Sequence, residues 1–151
     1  MKIYDFRSGA PSPRKVRTFL AEKGIDVRYE NVDIHKRESR TPEFKRKNPL
    51  GSVPVLELDD GTCIAESAAI CRYFEALHPE PALFGATPEE QGRVEMWLRR
   101  VETNLYIPIE LAEMFRESYP PACAQYTRAT LWLLKLLNKV LAQREFIALD
   151  R

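Results

Sequence analysis

The amino-acid sequence predicts an α/β domain with the order β-α-β-α-β-β-α, followed by an all-α domain. Three observations support this prediction. Strand patterns and amphipathic helix patterns alternate between Lys2 and Leu77, as in a mixed sheet with helices on its faces. The segment 79–85, with two prolines and a glycine, then interrupts the alternation. Beyond this segment the apolar residues recur at helical spacing only, which indicates a separate helical domain.

Capping residues and turn residues place the elements of the first domain. Lys2–Phe6 alternates as a strand, and Ser12 is predicted to cap a helix whose first residue is Pro13. Gly24 is expected to end that helix. The remaining elements are a strand at 27–32, a short helix at 41–47, strands at 55–58 and 62–65 around the Asp60-Gly61 turn, and a helix at 67–77.

The second half has its own start and break signals. Thr87-Pro88-Glu89-Glu90 reads as a capping box at the start of a helix that runs to Phe115. Pro108 should bend this helix or open its hydrogen bonds, and Pro120-Pro121 should separate it from a helix at 122–143. We therefore predict a first domain at 1–78, a linker at 79–86 and a partial helical domain at 87–151.

Composition narrows the function classes. The chain has 151 residues, a hydrophobic content of 44% and a net charge of +1, so no strong overall field draws it to nucleic acid or an anionic membrane. No apolar run approaches the ~20 residues that span a bilayer, and the amino terminus reads as a strand rather than a signal peptide. A cytoplasmic location is therefore expected. The three cysteines lack Cys-x-x-Cys spacing and the two histidines lack ligand spacing, so no metal site is predicted.

Two short motifs point to a ligand. Pro54 is predicted to lie at the start of a strand, where it has no N–H group to donate to the hydrogen-bond ladder of the sheet. The backbone of Val53, the residue before it, is then free to pair with a partner. The helix that opens at Ser67 offers a hydroxyl and unpaired amides to an anion. Together these motifs suit an extended peptide that carries a carboxylate.

Both motifs lie within 48–73, which together with the stretch from Ser12 to Gly24 resembles the glutathione S-transferase family, near the bacterial theta and nu classes. The resemblance implies a thioredoxin-like domain that binds glutathione as a co-substrate, and a helical domain that helps to bind a small hydrophobic electrophile. The implied function is detoxification by transfer of the glutathione thiolate, or glutathione-dependent thiol-disulfide chemistry. The resemblance also implies a homodimer.

The resemblance assigns roles to particular residues. Theta-like members carry their activating serine at the position of Ala10, so Ser12 is ranked first as the catalytic group. Ser8 and a backbone amide remain as alternatives. Val53, ahead of a cis Pro54, would pair with the peptide backbone.

Three more residues complete the implied glutathione site. Ser67 would hold the γ-glutamyl carboxylate, and Glu66 would face the α-amino group. Ser39 stands where theta-like members often have a histidine, and Ser52 where they often have a cation. Either Lys36, Arg37 or Arg40 could replace the missing charge, although a solvated basic face is the simpler interpretation of the cluster that also contains Lys45, Arg46 and Lys47.

The carboxyl end departs from the family pattern, since members normally continue with further helices. We therefore expect a truncated helical domain with exposed apolar residues on its last helix. This departure, together with Ala10, leaves an alternative function open: a non-catalytic glutathione transferase-like module for binding or assembly.

Overall fold

The computed structural model describes residues 1–7 and 9–150, which form two compact units. The first unit is Met1–Leu83 and the second begins at Phe84. The division falls inside the predicted linker.

The first unit contains a four-stranded mixed sheet with three helices. The predicted order β-α-β-α-β-β-α is confirmed, and the strands are arranged β2-β1-β3-β4. β1 pairs in parallel with β2 and antiparallel with β3, which pairs antiparallel with β4. The elements are β1 (Lys2–Asp5), α1 (Pro11–Glu22), β2 (Arg28–Asn31), a 3-10 turn (Glu38–Arg40), α2 (Pro42–Lys47), β3 (Val55–Glu57), β4 (Cys63–Ala65) and α3 (Ser67–Leu77).

The register brings three chain segments to one end of this sheet. Val55, the first residue of β3, pairs with Tyr4 near the end of β1 and with Ala65 at the end of β4. Antiparallel pairing therefore sets the residues just before β3 beside those that follow β1 and β4. The loop into α1, the Val53-Pro54 dipeptide and the start of α3 meet at this end.

Alternation along β1 separates the two faces of the sheet. Asp5 points toward α1 and accepts two hydrogen bonds from Arg17 Nη1, at 2.7 and 2.6 Å. Tyr4 points to the opposite face, where its ring meets that of Phe44 on α2 edge to face, with centroids 5.7 Å apart. Phe44 completes a buried cluster with Tyr4, Val32 and Val55. The short helix α2 is thus held to the sheet by one buried aromatic residue.

The predicted start of α1 is wrong. The helix begins at Pro11, and Ala10 is the extended residue that precedes it. Ser12 is therefore the second helical residue and not the cap. Pro11 accounts for the difference, because its fixed φ suits the first helical position and forces the residue before it into an extended conformation.

The second unit consists of α4 (Pro88–Val101), a π-helical turn (Glu102–Tyr106), α5 (Ile107–Met114) and α6 (Pro120–Leu141). Thr87 Oγ1 accepts from the Glu90 amide at 3.2 Å, as the capping box predicted. The π turn ends two residues before Pro108, so the predicted opening of hydrogen bonds is confirmed. In contrast, Pro120 and Pro121 begin α6 rather than precede it, since the first turn needs no proline N–H.

Two further features concern the surface of the described residues. The last helix exposes Leu131 at 50%, Trp132 at 61%, Leu134 at 44% and Leu141 at 45%, as predicted. Within the ranges 1–7 and 9–150, no helix combines the length and apolar character that crossing a membrane requires.

Candidate functional site

The loop before Val53 is braced by one buried side chain. Asn48 is 3% exposed, and its Nδ2 donates to the carbonyl oxygen and the hydroxyl of Ser52 at 2.9 and 3.0 Å. Its Oδ1 accepts from the Leu50 amide at 3.1 Å, while its backbone carbonyl accepts from the Gly51 amide at 2.8 Å. Asn48 thus satisfies the loop's polar backbone from inside and gives 48–52 one shape.

The same loop is fastened to the segment before α2. Gly51 has φ +60°, and a Cβ at this position would come within 2.7 Å of the Ser39 carbonyl oxygen, so only glycine fits. Arg40 Nη1 donates to the Leu50 carbonyl at 2.8 Å. Ser39, which was predicted to contact glutathione, is itself 3% exposed beneath this contact. Its role in binding a ligand stays a prediction, while in the structure its carbonyl oxygen lies against Gly51.

Val53 and Pro54 follow this braced loop. The peptide bond between them is cis, as expected from the resemblance. The half-buried Val53 side chain packs against the cluster around Tyr4 and Phe44. The β3 ladder begins at Val55, so the backbone of Val53 lies outside it. Val53 is therefore held by its side chain while its amide and carbonyl stay outside the sheet pairing.

The start of α3 combines an exposed carboxylate with a nearly buried hydroxyl. Glu66 precedes the helix with φ 70° and ψ 119°, a conformation that side-chain-bearing residues seldom adopt, and its side chain is exposed. Ser67 is the first helical residue and is 7% exposed. The first hydrogen bond of the helix is donated by the Ile70 amide to the Glu66 carbonyl oxygen, at 3.0 Å. The amides of residues 67–69 therefore have no partner within the helix.

The first turn of α1 reaches the same end of the sheet. Of its first three residues, Pro11, Ser12 and Pro13, Ser12 alone has an N–H group. The first helical hydrogen bond runs from Arg14 to Ala10, at 3.2 Å, and leaves the Ser12 amide outside the helical pattern. Half-buried Ser12 can therefore offer both a hydroxyl and an amide. Ser8, the alternative catalytic residue, lies outside the described residues.

Residues 10–77 match the family model described as "Glutathione S-transferase, N-terminal domain". A solved structure of a glutathione S-transferase domain-containing protein from Marinobacter aquaeolei VT8 is 38% identical, with a TM-score of 0.90, and the match covers 100% of this chain and 79% of that one. The chain belongs to the glutathione S-transferase family.

Two further relatives agree with this membership. The class Gtt2 glutathione S-transferase of Vibrio parahaemolyticus is 37% identical with a TM-score of 0.88, over 100% of this chain and 74% of that one. Glutathione S-transferase 2 of Saccharomyces cerevisiae is 46% identical over 113 residues, which are 74% of this chain and 48% of that protein. The chain thus spans about half the length of the curated relatives it matches.

One cation of the predicted solvated basic face is paired within the fold. The Nζ of Lys47 donates to Glu57 Oε2 at 2.6 Å, and Tyr4 OH donates to the same oxygen at 2.8 Å, so the predicted solvation of Lys47 is wrong. The Lys47 hydrogen bond, with that of Tyr4, lowers the pKa of the Glu57 carboxyl, and the Glu57 contact raises the pKa of Lys47. A charge pair ten residues apart on different elements carries no local sequence signal.

The other charged groups near the site are bound or exposed singly. Within residues 1–7 and 9–150, no three His, Cys, Asp or Glu side chains are grouped to hold a metal ion. Among the proposed replacement cations, Arg40 is bound to Leu50 as described, and Lys36 lies 3.7 Å from Asp33. Arg37 is exposed in a left-handed conformation with φ 60°. The described arrangement of the site therefore depends on backbone groups, hydroxyls and a carboxylate.

Proposed function

We propose that this family member binds glutathione at the end of the sheet where Val53, Glu66 and Ser67 meet, and transfers its thiolate to a small hydrophobic electrophile. One observation carries the proposal: Val55 pairs with both Tyr4 and Ala65, which sets the free backbone of Val53 beside the start of α3 and the loop into α1. Glutathione-dependent thiol-disulfide exchange would use the same bound thiolate.

Each end of the tripeptide has a matching group. The cysteinyl backbone pairs with the amide and carbonyl of Val53 by strand addition. The γ-glutamyl carboxylate accepts from the unpaired amides and the hydroxyl at Ser67, where the α3 dipole favours an anion. The exposed Glu66 carboxylate pairs with the α-amino group.

Ser12 stabilises the reactive form of the thiol. A free thiol has a pKa of ~8.5, and donors at a helix start lower this value. The hydroxyl of Ser12 donates to the sulfur, with its amide as a second donor. The thiol proton leaves to solvent, the sulfur forms a bond to the electrophilic carbon, and the leaving group departs with the bonding electron pair.

Calorimetry with glutathione tests binding. We expect the unaltered chain to bind at millimolar or lower concentration, and Ser67→Ala to weaken binding by about tenfold, equivalent to roughly 1.4 kcal/mol. Ser118→Ala, at an exposed position on the second unit, is the matched control and should change nothing. Absence of heat from the folded, unaltered chain at millimolar glutathione would overturn the proposal.

An assay with an aromatic halide tests the role of Ser12. Ser12→Ala should lower kcat by about tenfold or more and raise the pKa in the pH–rate profile, while glutathione affinity stays unchanged. Ser12→Thr retains a hydroxyl and should recover most of the rate. Equal rates for the alanine variant and the unaltered chain would remove Ser12 from catalysis and favour a different donor.

A second candidate function is a non-catalytic binding or assembly module. Ala10 favours it, because the position expected to carry the activating hydroxyl has none. This candidate predicts glutathione binding with the background reaction rate, a result that calorimetry and the halide assay together distinguish from a transferase.

Two further expectations accompany the transferase. A homodimer would sediment at about twice the chain mass of 17.5 kDa, and a monomer at all concentrations would contradict it. Three free cysteines, Cys63, Cys71 and Cys123, support placement in the reducing cytoplasm.

A further inference from the structure

The Glu57 carboxylate joins three elements on the α2 face of the sheet. Its Oε2 accepts from Lys47 at the end of α2 and from Tyr4 on β1. Tyr4 is 4% exposed, while the side chains of Lys47 and Glu57 are 26% and 22% exposed. The pair is therefore shielded from solvent on most sides. Lys47 Nζ lies over the Tyr4 ring, 5.1 Å from the ring centroid, and this cation–π contact fixes the position of the ammonium group.

The position of this pair in the chain distinguishes it from an ordinary surface ion pair. Lys47 is the last residue of α2 and Glu57 the last residue of β3, so their contact closes the segment 47–57 on itself. Val53 and Pro54 lie inside the closed segment. The Asn48 brace also lies inside it, next to Lys47.

A second ion pair provides a comparison within the same face. Lys2 Nζ lies 2.9 Å from Glu30 Oε2 and 4.8 Å from the centroid of the same Tyr4 ring. This pair joins β1 to β2, which the parallel ladder already holds together from Lys2↔Arg28 to Asp5↔Asn31. It has the same chemistry as the Lys47–Glu57 pair, but Val53 lies outside the segment 2–30 that it closes.

We propose that Lys47 and Glu57 are positioning residues, which set the affinity for glutathione by fixing the loop that presents Val53. This inference rests on the proposed function. α2 has six residues and one buried side chain, Phe44, so its end has few other ties to the sheet. When the pair is broken, the end of α2 and the braced loop lose their tie to β3. The side chain of Val53 stays in its cluster, but its backbone loses the fixed orientation toward the start of α3. The binding edge then loses its register with the carboxylate site.

Five single variants in the full chain test this role by calorimetry with glutathione. We expect Lys47→Met and Glu57→Gln each to raise the Kd by about tenfold, equivalent to 1.4 kcal/mol. The matched variants Lys2→Met and Glu30→Gln should stay within about twofold. Lys47→Arg preserves the pair and should recover most of the affinity.

Comparing variants of Lys47 with variants of Glu57 distinguishes a positioning role from simple attraction between charges. Because glutathione is an anion, loss of the Glu57 charge would strengthen binding if only the local field mattered. A tighter Kd for Glu57→Gln, or equal losses for Lys2→Met and Lys47→Met, would therefore overturn the proposal.

Hydrogen exchange without ligand provides an independent readout. The amides of Leu50 and Gly51, both bonded to Asn48, should exchange faster in Lys47→Met and remain as slow in Lys2→Met as in the unaltered chain. Unchanged exchange in Lys47→Met would overturn the positioning role. If the unaltered chain failed to bind glutathione, the proposed function would fall, while the exchange rates would still decide whether the pair fixes the loop.

Discussion

At the scale of single residues, the site holds a conformation that its sequence disfavours. Glu66 adopts φ 70° although it has a side chain, and such a backbone stores roughly 1–3 kcal/mol. The residue stands between β4 and α3, where the chain must turn sharply to begin a helix at Ser67. Strain of this kind persists where the surrounding fold determines it, and it places the Glu66 carboxylate beside the helix start.

Glycine at position 66 should therefore stabilise the fold and weaken binding. We expect Glu66→Gly to raise the free energy of unfolding by about 1 kcal/mol, since relief of strain exceeds the added freedom of the unfolded chain. Glu66→Ala keeps the strain and should leave stability unchanged. Urea unfolding measures stability, and calorimetry should show that both variants lose glutathione affinity alike. Lower stability of the glycine variant would contradict this account of Glu66.

The cysteines differ in the reactivity that their surroundings predict. Burial raises the pKa of the Cys71 thiol to about 11, and the side chain is 2% exposed within α3. Because the neutral thiol is a poor nucleophile, Cys71 should resist iodoacetamide at pH 8 until the chain unfolds. The half-buried Cys123 should react first. Mass spectrometry of digested, timed samples checks the order, and early labelling of Cys71 would contradict it.

At the scale of elements, sequence patterns predicted those features that depend on interactions between neighbouring residues. The Asp60-Gly61 turn is present, with the Thr62 amide bound to Asp60 Oδ1 at 2.8 Å, because side chain and turn are adjacent in sequence. Both Pro11 and Pro13 suit the first helical position, so the sequence predicts Ser12 as the cap, whereas Ala10 holds that position in the structure. The Lys47–Glu57 contact could not be predicted, since it depends on how α2 docks on the sheet.

Docking of α1 on the sheet depends on another ion pair between residues on different elements. Asp5 is 2% exposed, and its carboxylate is satisfied by Arg17, whose side chain is 28% exposed. We expect Arg17→Met to lower the free energy of unfolding by roughly 3 kcal/mol, because an unpaired carboxylate stays buried. Arg14→Met, at an exposed position on the same helix, should lose less than about 0.5 kcal/mol in the same urea titration. Similar losses in both variants would show that the pair contributes little to docking.

At the scale of the whole molecule, weak net charge coincides with exposed apolar surface. The net charge of +1 at pH 7 gives little repulsion between copies. The α6 face with Leu131, Trp132 and Leu134 exposes apolar side chains at 44% or more. The weakness of charge repulsion and the exposed apolar contacts thus both favour self-association near neutral pH, where the net charge approaches zero.

Light scattering across pH should therefore reach a maximum near neutrality and decrease on either side. Acid adds positive charge by protonating carboxylates and histidines, while base removes it from lysines, so repulsion increases in both directions. Leu134→Glu should lower the maximum, because it removes an exposed apolar group as well as changing the net charge to zero. Asn138→Glu makes the same charge change on an exposed polar residue of α6 and should not lower it. Equal scattering from the two variants would show that charge, rather than the apolar face of α6, controls association between copies.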